Sequence, residues 1–164
     1  MGRKTYEAIP EKFRPLKGRL NVVLTSDPET FMEKVPESQK ENVLAYDNYE
    51  VCLEELSKND QVREIVNIGG AQLIEQSLKN PEQIKYILQT RVSGKFGSDV
   101  FMPELDKSVF KPIHISKTYV DNEIPYDMVI YGNMEVLERN PEFIPNKLIK
   151  DLPKHEEMQY LEKI

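Results

Sequence analysis

The sequence predicts an α/β protein with a mixed, mostly parallel twisted sheet, flanking helices and an antiparallel hairpin near its C-terminal end. In residues 20–92, short β-branched runs alternate with amphipathic segments, which is typical of strand–helix–strand units. Beyond them, residues 110–120 and 126–136 alternate in hydropathy and follow one another, as an antiparallel pair does. The length of 164 residues fits one such domain with an extension.

Composition excludes several classes of function. The formal net charge of −6 provides no basic surface for nucleic acid. No apolar run approaches the roughly 20 residues of a membrane span, and the N-terminus lacks the apolar core of a signal peptide. The single cysteine, Cys52, cannot form an internal disulfide, and His114 and His155 lack the spacing of metal ligands. We therefore expect a cytoplasmic protein without a metal site, a nucleic-acid partner or a membrane span.

The first element is a predicted helix over residues 2–9, which Pro10 ends. Two cations, Arg3 and Lys4, stand at its N-terminus, where they oppose the helix dipole. A bound phosphate would offset that charge. The alternative, which these residues alone favour, is a frayed and solvated basic terminus.

The next element is a β-branched strand over residues 20–25. Thr25 and Ser26 stand at its end, where hydroxyl groups could bind an anion or cap a helix. Asp27 and Pro28 have the types of an N-cap and a first helical residue, so simple capping is the default interpretation.

A second short strand is predicted over residues 43–46, followed by a helix. Asp47 and Glu50 have the spacing of a capping box at its start. The spacing of the apolar residues places Tyr49, Cys52, Leu53 and Leu56 on one helix face. Cys52 is therefore interpreted as a core residue and not as a nucleophile.

The chain is organised around an apolar run at 65–68, two glycines and a helical pattern that follows at once. We interpret this as a buried strand, a tight turn at Gly69 and Gly70, and a helix start. Ligands of open α/β sheets bind at such strand ends, where glycines allow close approach to the backbone and helix N–H groups attract anions. A plain strand-to-helix turn remains an equal alternative.

The remaining predicted elements are a strand over 84–92 and the antiparallel pair over 110–120 and 126–136. Thr90 and Arg91 would lie level with the two glycines if their strands run parallel. Prolines interrupt the charged residues after 138, which predicts a linker, and residues 155–164 have the pattern of a helix start.

Several of these motifs, in this order and spacing, resemble dihydrofolate reductase over residues 1–133. They are the segments 1–10, 14–19, 67–70, 90–91 and 99–103. The last ten residues, 155–164, resemble the opening of thymidylate synthase, which leaves residues 134–154 as the linker. The resemblance implies the reductase part of a protist-type bifunctional dihydrofolate reductase–thymidylate synthase, with a homodimer expected through the synthase domain.

The resemblance implies a role for each motif. NADPH is expected to be the cofactor. In the family, the protein binds its pyrophosphate and its 2′-phosphate, and the cofactor packs against a glycine pair that is joined by a cis peptide. The implied cofactor-binding residues are Gly2, Arg3, Lys4, Thr5, Thr25, Ser26, Ile68, Gly69, Gly70, Ala71, Gln72 and Leu73. The implied residues for dihydrofolate, or for antifolates such as methotrexate, are Ile9, Leu16, Arg19, Ile68 and Thr90.

Departures from the family pattern qualify this expectation. In the family, three features precede the segment that matches Met1: the first, central strand, a mobile loop and the catalytic acid. We therefore expect a gap in the sheet. We assign no catalytic acid, and we expect Thr90 to have a supporting role. Asp27 replaces a frequent basic residue, and Ile74 replaces a frequent tyrosine. The expected function is NADPH-dependent reduction of dihydrofolate to tetrahydrofolate. The rival is a catalytically incomplete fragment or scaffold; an unrelated dinucleotide-binding module lacks its glycine motif.

Overall fold

The structure is a computed structural model that describes residues 1–140. The chain forms two compact units, one over Met1–Glu75 and a second that begins at Gln76. The helices are α1 Arg3–Ala8, α2 Pro28–Glu33, α3 Tyr49–Ser57, α4 Ala71–Ser77 and α5 Met134–Arg139. The strands are β1 Asn21–Leu24, β2 Val43–Tyr46, β3 Tyr86–Val92, β4 Phe110–Ile115, β5 Tyr119–Asp121 and β6 Ile124–Asn133. Short 3-10 turns cover Glu11–Phe13, Glu37–Asn42 and Pro81–Gln83.

The first unit is built on the parallel pair β1 and β2, which confirms both predicted strands. Asn21 pairs with Val43 and Leu24 with Tyr46 at the two ends of the ladder. Helices α1 and α2 cover one face, where the rings of Tyr6 and Phe31 meet edge to face with centroids 5.5 Å apart. The core of this unit consists of Tyr6, Val23, Phe31, Val35 and Val43.

The helix starts in this unit are decided by single side chains. Asp27 caps α2, because its carboxylate accepts the Thr30 N–H at 3.0 Å, as predicted. The cap of α3 was predicted wrongly. Asn48 and not Asp47 is the N-cap, and its Oδ1 accepts the Val51 N–H at 3.0 Å. Both residue types cap well, so pattern alone could not separate adjacent candidates.

The buried strand predicted over residues 65–68 is wrong. These residues form no strand, and the side chains of Ile65, Val66 and Ile68 are exposed. The physical reason is the lack of a ladder: no strand among residues 1–140 pairs with this segment. Just after the segment, the Gly69 carbonyl accepts the Gly2 N–H at 2.8 Å, and Met1 beside it accepts the Leu24 N–H of β1 at 2.8 Å.

A cavity of about 470 Å³ adjoins this segment. Its lining includes β1 residues, Cys52 and Leu56 from α3, and residues 61–68. The cavity thus lies beside a segment that has no ladder among residues 1–140.

The second unit is an antiparallel sheet in which β6 is the central strand. β3 and β4 pair with opposite edges of β6, and β5 forms a hairpin with it. Asn122 and Glu123 make the hairpin turn with positive φ angles of 46° and 66°. The buried apolar side chains are Phe110, Ile113, Val129 and Leu137. The predicted antiparallel pairing is confirmed, although the first run divides into β4 and β5.

The C-terminal boundary differs from the prediction. Helix α5 occupies Met134–Arg139, which we had placed in the strand and the linker, and Leu137 is only 2% exposed. The rest of the predicted linker and the synthase-like residues 155–164 lie outside the described residues. The mixed α/β class is confirmed, but the antiparallel share is larger than predicted, because the segment 65–68 adds no parallel ladder. None of the helices within residues 1–140 is long and apolar enough to span a membrane.

Candidate functional site

The starts of helices α1 and α4 meet at three glycines. The Gly2 N–H donates to the Gly69 carbonyl at 2.8 Å. A Cβ atom at Gly70 would lie 3.5 Å from Oγ1 of Thr5, so the backbone there lies close to α1. The Gly69–Gly70 peptide is cis, as the resemblance implied, and Gly69 has a φ of +90°, which favours glycine. Two helix N-termini thus share one glycine-lined surface.

Asn67 holds the turn that leads to this surface, a role that the sequence analysis missed. Its Oδ1 accepts the Gly69 N–H at 2.9 Å, and its Nδ2 donates to the Leu73 carbonyl at 3.2 Å. Asparagine is frequent in turns because its side chain can form a hydrogen bond with the backbone two residues further along the chain. The signal was present, but Asn67 was counted as part of the predicted strand.

The charges around α1 suit an anion. Gly2 is the N-cap and provides no side-chain acceptor for the N–H groups of the first turn. Arg3 is exposed and forms a bidentate pair with Glu7, with both contacts at 2.9 Å, while Lys4 is exposed. The Glu7 carboxylate offsets part of the positive charge, so Lys4 and the backbone N–H groups are the available donors for a phosphate.

A second group of residues lies on the turn between Leu16 and Asn21. The Asn21 side chain holds this turn through hydrogen bonds to the backbone of Leu16 and Arg19. Gly18 lies at the tip with a φ of +71°. Leu16, Arg19 and Ile68 all line the cavity of this unit. The structure thus brings together three residues for which the family resemblance implies contact with folate. Ile9 is half-buried at the end of α1, outside that lining.

Thr25 and Ser26 follow β1 and lie beside an acidic cap. The Thr25 N–H donates to the Tyr46 carbonyl at 2.9 Å, and Oγ1 of Thr25 accepts from the Asp27 N–H at 3.4 Å. Hydrogen bonding from Thr30 holds the pKa of Asp27 below its usual value. Asp27 is therefore negatively charged at neutral pH, next to the two hydroxyl groups.

Thr90 lies in the second unit, on β3, where it is exposed and opposite Met128. The neighbouring Arg91 forms a bidentate pair with Asp127 across the ladder, with both bonds 2.7 Å long. The Arg91 guanidinium lowers the pKa of Asp127, and Asp127 raises that of Arg91. The sequence analysis could not predict this ion pair, because its two residues are 36 positions apart in the chain. Within residues 1–140, no cluster of His, Cys, Asp and Glu suits a metal ion.

Comparison with known proteins decides the family. The family pattern described as "Dihydrofolate reductase" matches residues 1–133, and this range includes every site residue discussed above. The chain belongs to the dihydrofolate reductase family. The glycine turn, the cap at Gly2 and the turn held by Asn21 are therefore elements of a dihydrofolate reductase fold, which confirms the family and the fold class expected from sequence.

Similar proteins include bifunctional enzymes and separate reductases. The chain is 34% identical to "Bifunctional dihydrofolate reductase-thymidylate synthase" of Glycine max, over 80% of this chain and 24% of that protein. It is 32% identical to the protein of the same name from Zea mays, over 98% of this chain and 34% of that protein. It is 30% identical to "Dihydrofolate reductase" of Sus scrofa, over 85% of this chain and 72% of that protein. The chain thus spans a quarter to a third of the length of the bifunctional relatives.

Proposed function

We propose that this chain contributes the cofactor- and folate-binding part of an NADPH-dependent dihydrofolate reductase, within a bifunctional reductase–synthase. The observation that carries the proposal is the hydrogen bond between Gly2 and Gly69, which joins two helix starts beside the glycine pair. That surface accepts a flat group against the backbone and an anion at the helix ends. The names of the bifunctional relatives support the reductase–synthase context. We further propose a homodimer through the synthase domain and, from the single cysteine and the lack of an apolar N-terminal core, a cytoplasmic location.

The residues present fit NADPH. Lys4 and the uncapped N–H groups of α1 suit a pyrophosphate, while Gly69 and Gly70 carry no side chains that would keep a ring from the backbone. When bound, NADPH supplies a hydride for the reduction of dihydrofolate. The chain itself positions the two ligands and provides the electrostatic environment between them.

The folate side of the proposal uses the turn at residues 16–19. Leu16 supplies apolar contact, and the planar fork of Arg19 suits the carboxylate of the folate glutamate. Arg19 is exposed, and its Nε donates to the Lys17 carbonyl at 3.3 Å, so its Nη atoms remain available for a ligand. Thr90 is proposed to support the catalytic carboxylate, to which we assign no residue of this chain.

Methotrexate-sensitive oxidation of NADPH in the presence of dihydrofolate tests the activity of the purified full chain. Equilibrium binding of NADPH and of methotrexate, measured separately by calorimetry, tests the sites alone. We expect both ligands to bind. A folded chain that binds neither at millimolar concentration would overturn the proposal.

A matched pair of lysine variants locates the phosphate site. Lys4→Ala should weaken NADPH binding by about tenfold at low salt, because it removes a charge beside the helix start, and the loss should shrink as salt rises. Lys79→Ala changes an equally exposed lysine beyond α4 and should leave NADPH binding unchanged. Equal losses in the two variants would contradict a specific role for Lys4.

The charge of Asp27 tests the placement of the 2′-phosphate. Asp27→Asn keeps an N-cap for α2 but removes the negative charge beside Thr25 and Ser26. We expect affinity for NADPH to rise by about threefold to tenfold while affinity for NADH stays the same. A parallel change for both cofactors would place the 2′-phosphate elsewhere.

A further inference from the structure

Asn21 is a buried polar residue to which neither the sequence nor the family comparison assigned a role. It is 1% exposed at the start of β1, and its side chain makes three hydrogen bonds to the turn that precedes it. Oδ1 accepts the Leu16 N–H at 2.9 Å, and Nδ2 donates to the carbonyls of Leu16 at 2.9 Å and Arg19 at 3.1 Å. The amide therefore binds both ends of the turn.

The chemistry of these bonds is specific to asparagine. Two N–H donors and one carbonyl acceptor are all used, and only the primary amides of Asn and Gln offer that set. Glutamine is one methylene longer, so its amide cannot reach the same three backbone groups from the same backbone position without a shift. Aspartate has the shape but no donor, so both carbonyl groups would lose their partner.

The turn that Asn21 holds carries two side chains proposed to contact folate. Leu16 and Arg19 line the same cavity, and each gives a backbone group to Asn21. Gly18 between them has a positive φ of 71° and so allows the chain to reverse there. Asn21 itself is buried beneath the turn. Asn21 also lines this cavity, but it is only 1% exposed and the turn occupies its amide donors and acceptor, so we expect its effect on a ligand to pass through Leu16 and Arg19.

We propose that Asn21 is a positioning residue for the carboxylate end of the folate substrate, acting through Arg19. This inference rests on the proposed function. By fixing both ends of the turn, Asn21 holds the Arg19 guanidinium in a geometry that can bind a carboxylate with two parallel hydrogen bonds. The expected signature is a selective loss: ligands that carry the glutamate lose affinity, while NADPH and a bare pterin do not.

The second unit supplies a matched control. Asn133 is also 1% exposed, and its amide likewise holds a loop and a helix start, donating to the Pro81 carbonyl at 2.7 Å and accepting the Val136 N–H at 3.3 Å. The Asn133→Asp variant therefore has the same chemical change at the same burial, and it loses the donated bond to Pro81 where Asn21→Asp loses two. It should lower stability without selecting between ligands.

The experiment measures the dissociation constants of dihydrofolate, NADPH and 6-methyl-7,8-dihydropterin, which lacks the benzoylglutamate, for the full chain and its variants. Asn21→Asp should weaken dihydrofolate by about tenfold or more and leave the other two within about twofold. In an Arg19→Ala background, Asn21→Asp should change dihydrofolate affinity by less than about twofold, because the contact it positions is gone. Asn133→Asp should leave all three ratios unchanged.

Other outcomes overturn the inference. Equal weakening of all three ligands by Asn21→Asp, or full additivity with Arg19→Ala, would make Asn21 only a stabiliser of the fold. Trypsin provides a test that needs no ligand: cleavage after Lys17 and Arg19 should accelerate in Asn21→Asp but not in Asn133→Asp, and unchanged cleavage would contradict the proposal. If the wild-type chain binds none of the three ligands, the proposed function fails, and trypsin alone then decides whether Asn21 holds the turn.

Discussion

The two units of this chain contrast in how their backbone hydrogen bonds are satisfied. In the second unit, β6 is paired along both edges, and β3, β4 and β5 all pair with it in one antiparallel sheet. In the first unit, β1 and β2 form the only ladder, with one isolated bridge from Leu24 to Gly2, and the apolar segment 65–68 lies exposed without a ladder. The side chain of Val129 is 1% exposed, whereas that of Val66 is 72% exposed.

The contrast shows how sheet type governs dependence on distant partners. Antiparallel strands joined by short turns find their partners within the same segment of sequence, as β5 and β6 do across two residues. Parallel strands need partners that are far away in the chain. A β-branched run such as 65–68 therefore has the composition of a strand but becomes one only where another strand lies beside it.

Hydrogen exchange gives the largest expected difference. The amide of Val129 on β6 should exchange at least about 1,000-fold more slowly than those of Ile65 and Val66, because only β6 is covered by neighbours on both sides. Mass spectrometry or NMR of the full chain measures both regions in one sample. Comparable protection of the segment 65–68 would show that it is paired in solution, and the contrast between the units would be lost.

Truncation of a buried side chain in the second unit should have the next largest effect. Leu137→Ala removes a side chain of α5 that is 2% exposed and should lower the free energy of unfolding by about 2–5 kcal/mol. Leu88→Ala makes the same chemical change at a β3 residue that is 75% exposed and should stay within about 0.5 kcal/mol of wild type. Urea unfolding measures both. If Leu137→Ala leaves the free energy of unfolding unchanged, residues 134–139 would instead belong to the linker that the sequence predicts.

The ion pair on β3 and β6 should contribute a smaller, pH-dependent amount. Asp127→Asn should destabilise the chain by about 1–2 kcal/mol at pH 7, because Arg91 loses a partner that is only partly exposed. The pKa of Asp127 is lower in the folded state than its usual 3.8, so its contribution is fully present above that value. It is lost as pH falls through the folded-state pKa.

Urea unfolding of wild type and Asp127→Asn at several pH values checks this sign. The difference between them should be constant from pH 7 to pH 5 and should shrink as pH falls below 3.8. Asp121→Asn, at an exposed position of β5, is the control for the loss of a surface carboxylate. A difference for Asp127→Asn that stays undiminished down to the lowest pH at which both proteins remain folded would mean that hydrogen bonding, and not charge, is what stabilises the pair.

Sequence predicted the local part of this fold well. Strands β1, β2 and β6 and the first turns of α1 and α2 follow from residue types that act on their own neighbours, such as Asp27 and Pro28. The segment 65–68 could not be predicted in the same way, since its state depends on a strand partner. Helix α5 was missed because Asn133, which caps it, ends a long alternating strand without a change in composition.

The candidate site was predicted only in part for the same reason. The glycine pair and the residues at the start of α1 are visible as motifs, and the structure brings them together. Asn21 and Asn67 hold the two turns of the site, but their bonds are made to backbone atoms. Backbone groups carry no sequence signal, so a residue that acts on them looks like any polar residue near a turn.

The cap of α3 is where the effect on stability should be smallest and the comparison between prediction and structure most direct. Asn48→Ala removes the acceptor for the Val51 N–H and should cost about 1 kcal/mol of unfolding free energy. Asp47→Ala, one residue earlier, removes only an exposed charge and should stay within about 0.5 kcal/mol. Thermal unfolding of the two variants separates the alternatives. A larger loss for Asp47→Ala would restore the capping box predicted from Asp47 and Glu50, because only the residue whose oxygen meets the helix N–H groups can be the cap.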